Sequence, residues 1–174
     1  VTLVYETHSV TVDNETGIAT GWLPGELSAR GRDLAVELGE RRKAVDVVYA
    51  SGLRRVVQTA EISFAGSGKE IRLGRRLREC DYGIYNGRPV SEVAALRSRH
   101  IDTPWPGGQS YRQVVAEVAG FLREVMEEWQ GGLVLVVSHS ANRWALQNLL
   151  DGAPLEELVD APFEWRPGWE YGIA

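Results

Sequence analysis

Apolar residues run with little alternation at positions 1–5, 45–50 and 133–137. Such short continuous runs predict strands buried on both faces, the pattern of a parallel sheet covered by helices. A weaker strand candidate lies at 70–73. Between these runs the period becomes that of a helix. Ser28 is placed to cap a helix reaching about Arg42, with Leu34, Ala35 and Leu38 inward. Leu53, Val56, Val57, Ala60 and Phe64 mark a second helix, and Pro89 suits the first position of a third, extending to about Arg99. A stripe from Val114 through Val118, Phe121 and Val125 to Trp129 predicts the longest helix, ended by Gly131-Gly132. A further helix is expected over 142–150 and a short turn of helix near 155–159. The segments 163–165 and 169–173, separated by Pro167-Gly168, predict a terminal edge hairpin or strand.

Strands alternating with helices predict an α/β three-layer α/β/α sandwich with a mostly parallel central sheet. At 174 residues, without repeats or a linker-like tract, the chain reads as one domain spanning 1–174. Two loops, 9–27 and 80–88, are long for such a domain and leave the same expected sheet edge, which marks them as functional candidates.

Charge and composition narrow the function. A net charge of −5 argues against a general nucleic-acid binder, yet leaves room for an anionic small substrate, since pocket arginines set the local field. The single Cys80 allows no internal disulfide, and no Cys/His cluster of metal type occurs. No signal peptide and no apolar stretch near 18 residues is seen, so a cytoplasmic protein without a membrane partner or cofactor is expected.

Two of the three histidines occupy matched settings. His8 follows the run at 1–5 and carries Thr7 and Ser9; His139 follows 133–137 and carries Ser138 and Ser140. In an open parallel sheet, ligands bind beyond the carboxyl ends of strands, so two such histidines can face one substrate. Either alone reads as a capping or surface histidine. Arg54 and Arg55 begin the helix introduced by Ser51-Gly52-Leu53, where a guanidinium can meet an oxyanion or bridge to a neighbouring carboxylate. Glu79 stands in the irregular polar stretch 76–83. Together these groups suit phosphoryl transfer: a neutral imidazole as nucleophile, a second imidazole and an arginine stabilising the equatorial oxygens, and a carboxylic acid protonating the leaving alkoxide. That scheme requires no metal.

Here the chain resembles the histidine phosphatase superfamily, with its phosphoglycerate-mutase-like fold. His8, Asn14, Gly21-Trp22 and Leu27-Ser28-Ala29-Arg30-Gly31 reproduce the spacing that follows the family's Arg-His-Gly motif. Residues 51–60, Ser-Gly-Leu-Arg-Arg-Val-Val-Gln-Thr-Ala, match its Ser-x-Leu-x-Arg-Ala-x-Gln-Thr-Ala helix. Arg76-Leu77-Arg78-Glu79 with Tyr82-Gly83, Pro106-Gly107-Gly108-Gln109-Ser110 and Val137-Ser138-His139 supply the remaining motifs in order. The resemblance implies His8 as the phosphorylated nucleophile, Glu79 as acid/base, and Arg55 with His139 as the phosphate clamp. Asn14, Thr20, Gly21, Tyr82 and the backbone after His139 would then hold phosphate or substrate oxygens, with Thr7, Ser9, Ser140 and Arg143 as further candidates for the same wall.

Three departures bear on catalytic strength. Thr7 stands where the family has arginine, Ser9 where it has glycine, and Ser140 where a second glycine follows the later histidine. Loss of one oxyanion donor costs on the order of 3 kcal/mol in a transition state. Arg143 either reaches in as compensation or is an ordinary helix-surface arginine. Glu6 opposes a bound phosphate unless it points away. Only 18 residues separate Gly87 from Pro106, and the chain stops soon after its final strand, whereas the resemblance implies longer, more enclosed mutases. The expectation is therefore a small phosphomonoesterase acting on a phosphorylated metabolite. A weak or inactive relative binding a phosphorylated or carboxylate ligand, and a phosphoglycerate-type mutase, are the alternatives. Trp22, Tyr85 and Trp105 are expected on loops near the mouth, and either a monomer or a homodimer is compatible with the pattern. The activity should show a bell-shaped pH profile with an optimum near or below neutrality.

Overall fold

The computed structural model describes residues 1–174. From the N-terminus the chain forms β1 (Thr2–Thr7), α1 (Val12–Thr16), α2 (Ala29–Arg41), β2 (Val47–Ala50), α3 (Arg54–Ser63) and β3 (Ile71–Leu73). It continues through α4 (Val90–Leu96), α5 (Tyr111–Glu128), β4 (Leu133–Ser138), α6 (Ser140–Asp151), α7 (Leu155–Asp160) and β5 (Trp169–Gly172). The strands make one sheet in the order β3-β2-β4-β1-β5. All neighbours are parallel except the antiparallel edge pair β1–β5.

Alternation along the strands sorts side chains into two cores, as the two-residue repeat of a strand requires. Val4, Val48, Ala50, Leu135 and Val137 face α2 and α3, with Leu38, Val56 and Phe64. Leu3, Tyr5, Val47, Val134 and Val136 face the other side, where Val118, Phe121 and Val125 of α5 join Trp144 of α6. The result is the expected α/β/α sandwich. No helix is long and apolar enough to cross a membrane.

Several local features differ from the expectation. The strand expected at 163–165 is absent, so only Trp169–Gly172 closes the sheet edge and no hairpin forms. Pro89 is the N-cap of a short α4 that passes into a 3-10 turn at Arg97–His100. The loop after His8 contains a five-residue helix, α1, closed by a capping box between Thr11 and Asn14. Helix α6 begins at Ser140, directly after His139.

Candidate active site

The sheet register explains how two residues 131 positions apart come together. Strands β1 and β4 are parallel neighbours, with Thr7 opposite Ser138. The ladder then continues one step, His8 N donating to the Ser138 carbonyl at 3.0 Å. His8 and His139 therefore leave adjacent strands side by side, and their ring centroids lie 5.3 Å apart at an interplanar angle of 57°. Between them and solvent opens a cleft of about 950 Å³. Thr7, His8, Ser9, Asn14, Thr20, Gly21, Arg55, Glu79, Tyr82, Ser140 and Arg143 all line it, whereas His139 stands one layer behind.

His8 has a defined tautomer. Its Nδ1–H donates to the Ser9 carbonyl at 2.7 Å, which leaves Nε2 as the ring nitrogen with a free lone pair. Burial, reinforced by the Arg55 charge, lowers its pKa to about 3. The ring is thus neutral at physiological pH, the form a nucleophile requires.

Arg55 is the third side chain of the cluster, carried in by the first turn of α3. One amino group, Nη2, donates to the Gly21 carbonyl at 2.8 Å and to His139 Nδ1 at 3.3 Å. The other, Nη1, is buried without a partner. Because Nδ1 of His139 accepts from arginine, its Nε2–H donates to Ser51 Oγ at 2.8 Å. Burial and the same arginine hold the His139 pKa well below the ordinary histidine value. Of the two residues expected to clamp phosphate, Arg55 reaches the cleft, while His139 is buried behind it and bonds its guanidinium.

Glu79 is buried, and Oε1 accepts from the Cys80 N–H at 2.8 Å. Burial raises its pKa, with Arg55 opposing, so the carboxyl is biased toward the protonated form of a general acid. Its loop is anchored by Trp22 Nε1–H, which donates to the Glu79 carbonyl at 2.6 Å. Gly21 is restricted here for two reasons. Its φ of 56° is in the left-handed region, and a Cβ would collide with the Asn86 side chain.

Other expected contacts are occupied by the protein itself. The Ser9 hydroxyl donates to the Gly31 carbonyl at 2.5 Å, Thr20 Oγ1 donates to Asp13 at 2.7 Å, and Asn14 Oδ1 accepts from Thr11 N. These residues shape the wall, with those polar atoms engaged by the protein. Glu6 does point away: Arg41 grips it through two bonds of 2.9 and 2.8 Å, and Arg42 adds one of 2.7 Å. Trp22, Tyr85 and Trp105 do not line the cleft; Trp105 is fully buried and stacks on His100 at 4.0 Å. Sequence reasoning missed Arg97, Trp144, Phe163 and Trp165, which do line it. Arg97 follows a short helix with no motif around it, so spacing offered no signal.

The model of the histidine phosphatase superfamily (branch 1) matches residues 7–164. Phosphoserine phosphatase 1 of Hydrogenobacter thermophilus is 31% identical over 91% of this chain and 80% of its own length. The probable phosphoglycerate mutase GpmB of Salmonella choleraesuis is 29% identical over 84% of this chain and 73% of its own. Among solved structures, a mycobacterial glucosyl-3-phosphoglycerate phosphatase in complex with VO3 superposes with a TM-score of 0.79 at 27% identity. That match covers 91% of this chain and 85% of the other.

Proposed function

Because the chain belongs to the histidine phosphatase superfamily, branch 1, we propose that it hydrolyses phosphomonoesters of small metabolites through a phosphohistidine on His8. The observation that carries this is the neutral His8 ring, with Nδ1 tied to Ser9 and Nε2 free, beside the unpartnered Arg55 Nη1.

In the first step the Nε2 lone pair of His8 attacks phosphorus and the ester P–O bond breaks. Glu79 gives its proton to the departing alkoxide. The phosphoryl oxygens gather charge-assisted hydrogen bonds from Arg55, whose guanidinium His139 and Gly21 hold in orientation. The start of α6 at Ser140 adds the positive end of a helix to the same wall. In the second step water attacks phosphorus, the Glu79 carboxylate takes its proton, the P–N bond breaks, and His8 returns neutral. No metal is called for.

The cleft volume falls within the range of small-molecule sites. Relatives named for phosphoserine and glucosyl-3-phosphoglycerate agree with a phosphorylated metabolite. His8 lines a cleft that opens to solvent, so water has a path to the phosphohistidine and hydrolysis competes with return of the phosphoryl group to a product. The test is release of p-nitrophenol from p-nitrophenyl phosphate. Turnover by the wild type, lost in His8→Ala and indifferent to a bisphosphorylated primer, supports the reading. Primer-dependent transfer supports a mutase instead, and no turnover across a broad ester panel supports a binding protein.

A further inference from the structure

The anion pocket has a guanidinium on its α3 side, but on its β1 side only Thr7. The Thr7 hydroxyl is buried beside the Tyr5 phenol. Arg143, in the first turn of α6, lines the same cleft as Thr7 and His8. It is 8% exposed, and its Nε is buried without a partner. It forms no salt bridge. Its charge acts on the Tyr5 phenol, whose hydroxyl donates to the His139 carbonyl at 2.7 Å.

A buried cation with no counter-charge is costly to keep. What offsets this here is aromatic. The Arg143 Cζ lies 4.9 Å from the Trp169 ring centroid on β5 and 5.9 Å from that of Phe163. A ring face supports the guanidinium without occupying its N–H donors, so those donors remain available to an anion.

We propose that Arg143, carried on the ring of Trp169, is the second guanidinium of the phosphate pocket and serves the side where β1 offers only Thr7. Trp169 is then a positioning residue, and edge strand β5 takes part in the site through it. The identification of the anion as a substrate phosphoryl group rests on the proposed phosphatase reading; the anion site itself does not.

The test is the Kd of inorganic phosphate, measured by calorimetry on the full chain beside thermal melting. Arg143→Met should weaken phosphate about 10- to 100-fold, the factor of one charge-assisted hydrogen bond, with melting little changed. Trp169→Leu should weaken it by a smaller factor. Adding Thr7→Arg to Arg143→Met should recover much of the loss, because both positions would serve one anion. Phosphate affinity within about twofold of wild type in folded Arg143→Met, on that same scale, would overturn the proposal and leave Arg143 a packing residue. Should Arg143→Met not fold, the wild-type Arg143 Nε–H resonance decides by NMR. A shift that saturates with the calorimetric Kd supports the site; an unmoved signal overturns it. These outcomes are separable from failure of the phosphatase reading. A chain that binds phosphate through Arg143 without hydrolysing esters contradicts only that reading. A chain that needs His8 for turnover but binds phosphate regardless of Arg143 contradicts only this one.

Discussion

Arg55 Nη2 lies 3.3 Å from His139 Nδ1 while its sister nitrogen Nη1 stands buried and unpartnered. One end of the guanidinium is thereby fixed by protein, and the other is free to donate, which under the proposed reading serves the phosphoryl oxygens. A donor held in place before the reaction needs no reorganisation as charge develops, which is where such groups contribute most to rate.

Arg55→Lys should therefore lower kcat/KM by about 10²–10³-fold, close to the loss in Arg55→Met. Lysine keeps the charge but cannot bond Gly21, His139 and phosphate from one rigid plane. Steady-state kinetics on both variants checks this; near-normal activity of the lysine variant would show that charge alone suffices.

Glu79 predicts a dependence on the leaving group. Glu79→Gln should slow hydrolysis of an alkyl phosphate by about 10²–10⁴-fold, the usual contribution of a general acid. The kcat/KM of p-nitrophenyl phosphate, which reports only formation of the phosphohistidine, should fall much less, because p-nitrophenolate leaves without a proton; its kcat should still fall where the later attack of water, which also uses Glu79, limits turnover. In the wild type, the alkyl rate should fall as pH rises through the raised Glu79 pKa. Since His8 stays neutral down to about 3, protonation of His8 should not limit the rate between pH 5 and 7. Equal losses of kcat/KM on the two esters would remove Glu79 from the acid role.

The histidine pair predicts a pH dependence of stability. Both folded-state pKa values lie below the unfolded value near 6.5. Below that pH the unfolded chain binds protons that the folded chain refuses, so stability is present above 6.5 and lost progressively as pH falls toward about 3. Glu79, with its raised pKa, acts in the opposite sense, adding stability as pH falls through its folded value. His8→Gln should flatten the acid-side decline in melting temperature relative to wild type. Parallel curves for the two proteins would show that His8 is not held neutral by folding.

Gly21→Ala should lower stability by about 1–3 kcal/mol, since the backbone is left-handed there and Asn86 occupies the space of a Cβ. Activity should fall with it, because the Gly21 carbonyl holds Arg55. Denaturant unfolding beside kinetics reads both effects.

How far the sequence revealed this site depends on which interactions local pattern records. The continuous apolar runs ending at His8 and His139 showed the strands, and the order β3-β2-β4-β1-β5 made them neighbours. Arg55 and Glu79 were found through motif spacing. The hydroxyls of Ser9 and Thr20 were expected to face substrate, but their partners, Gly31 and Asp13, depend on how loops close. Helix α1 escaped notice because five residues hold too little periodicity to register. The sequence leaves Arg143 open to two roles, since a helix position does not say that a tryptophan 26 residues later will lie beside it. Arg97 was missed for the same reason: its neighbours Tyr82 and Trp144 belong to distant segments.

The most direct test of the central claim is to trap the covalent intermediate. Rapid acid-free quenching of the enzyme with a good phosphate-ester substrate, followed by mass spectrometry, should show one phosphoryl group on His8. It should be absent from His8→Ala, which should also be inactive. Steady turnover by a chain that never carries phosphate on His8, or turnover that survives His8→Ala, would contradict the account.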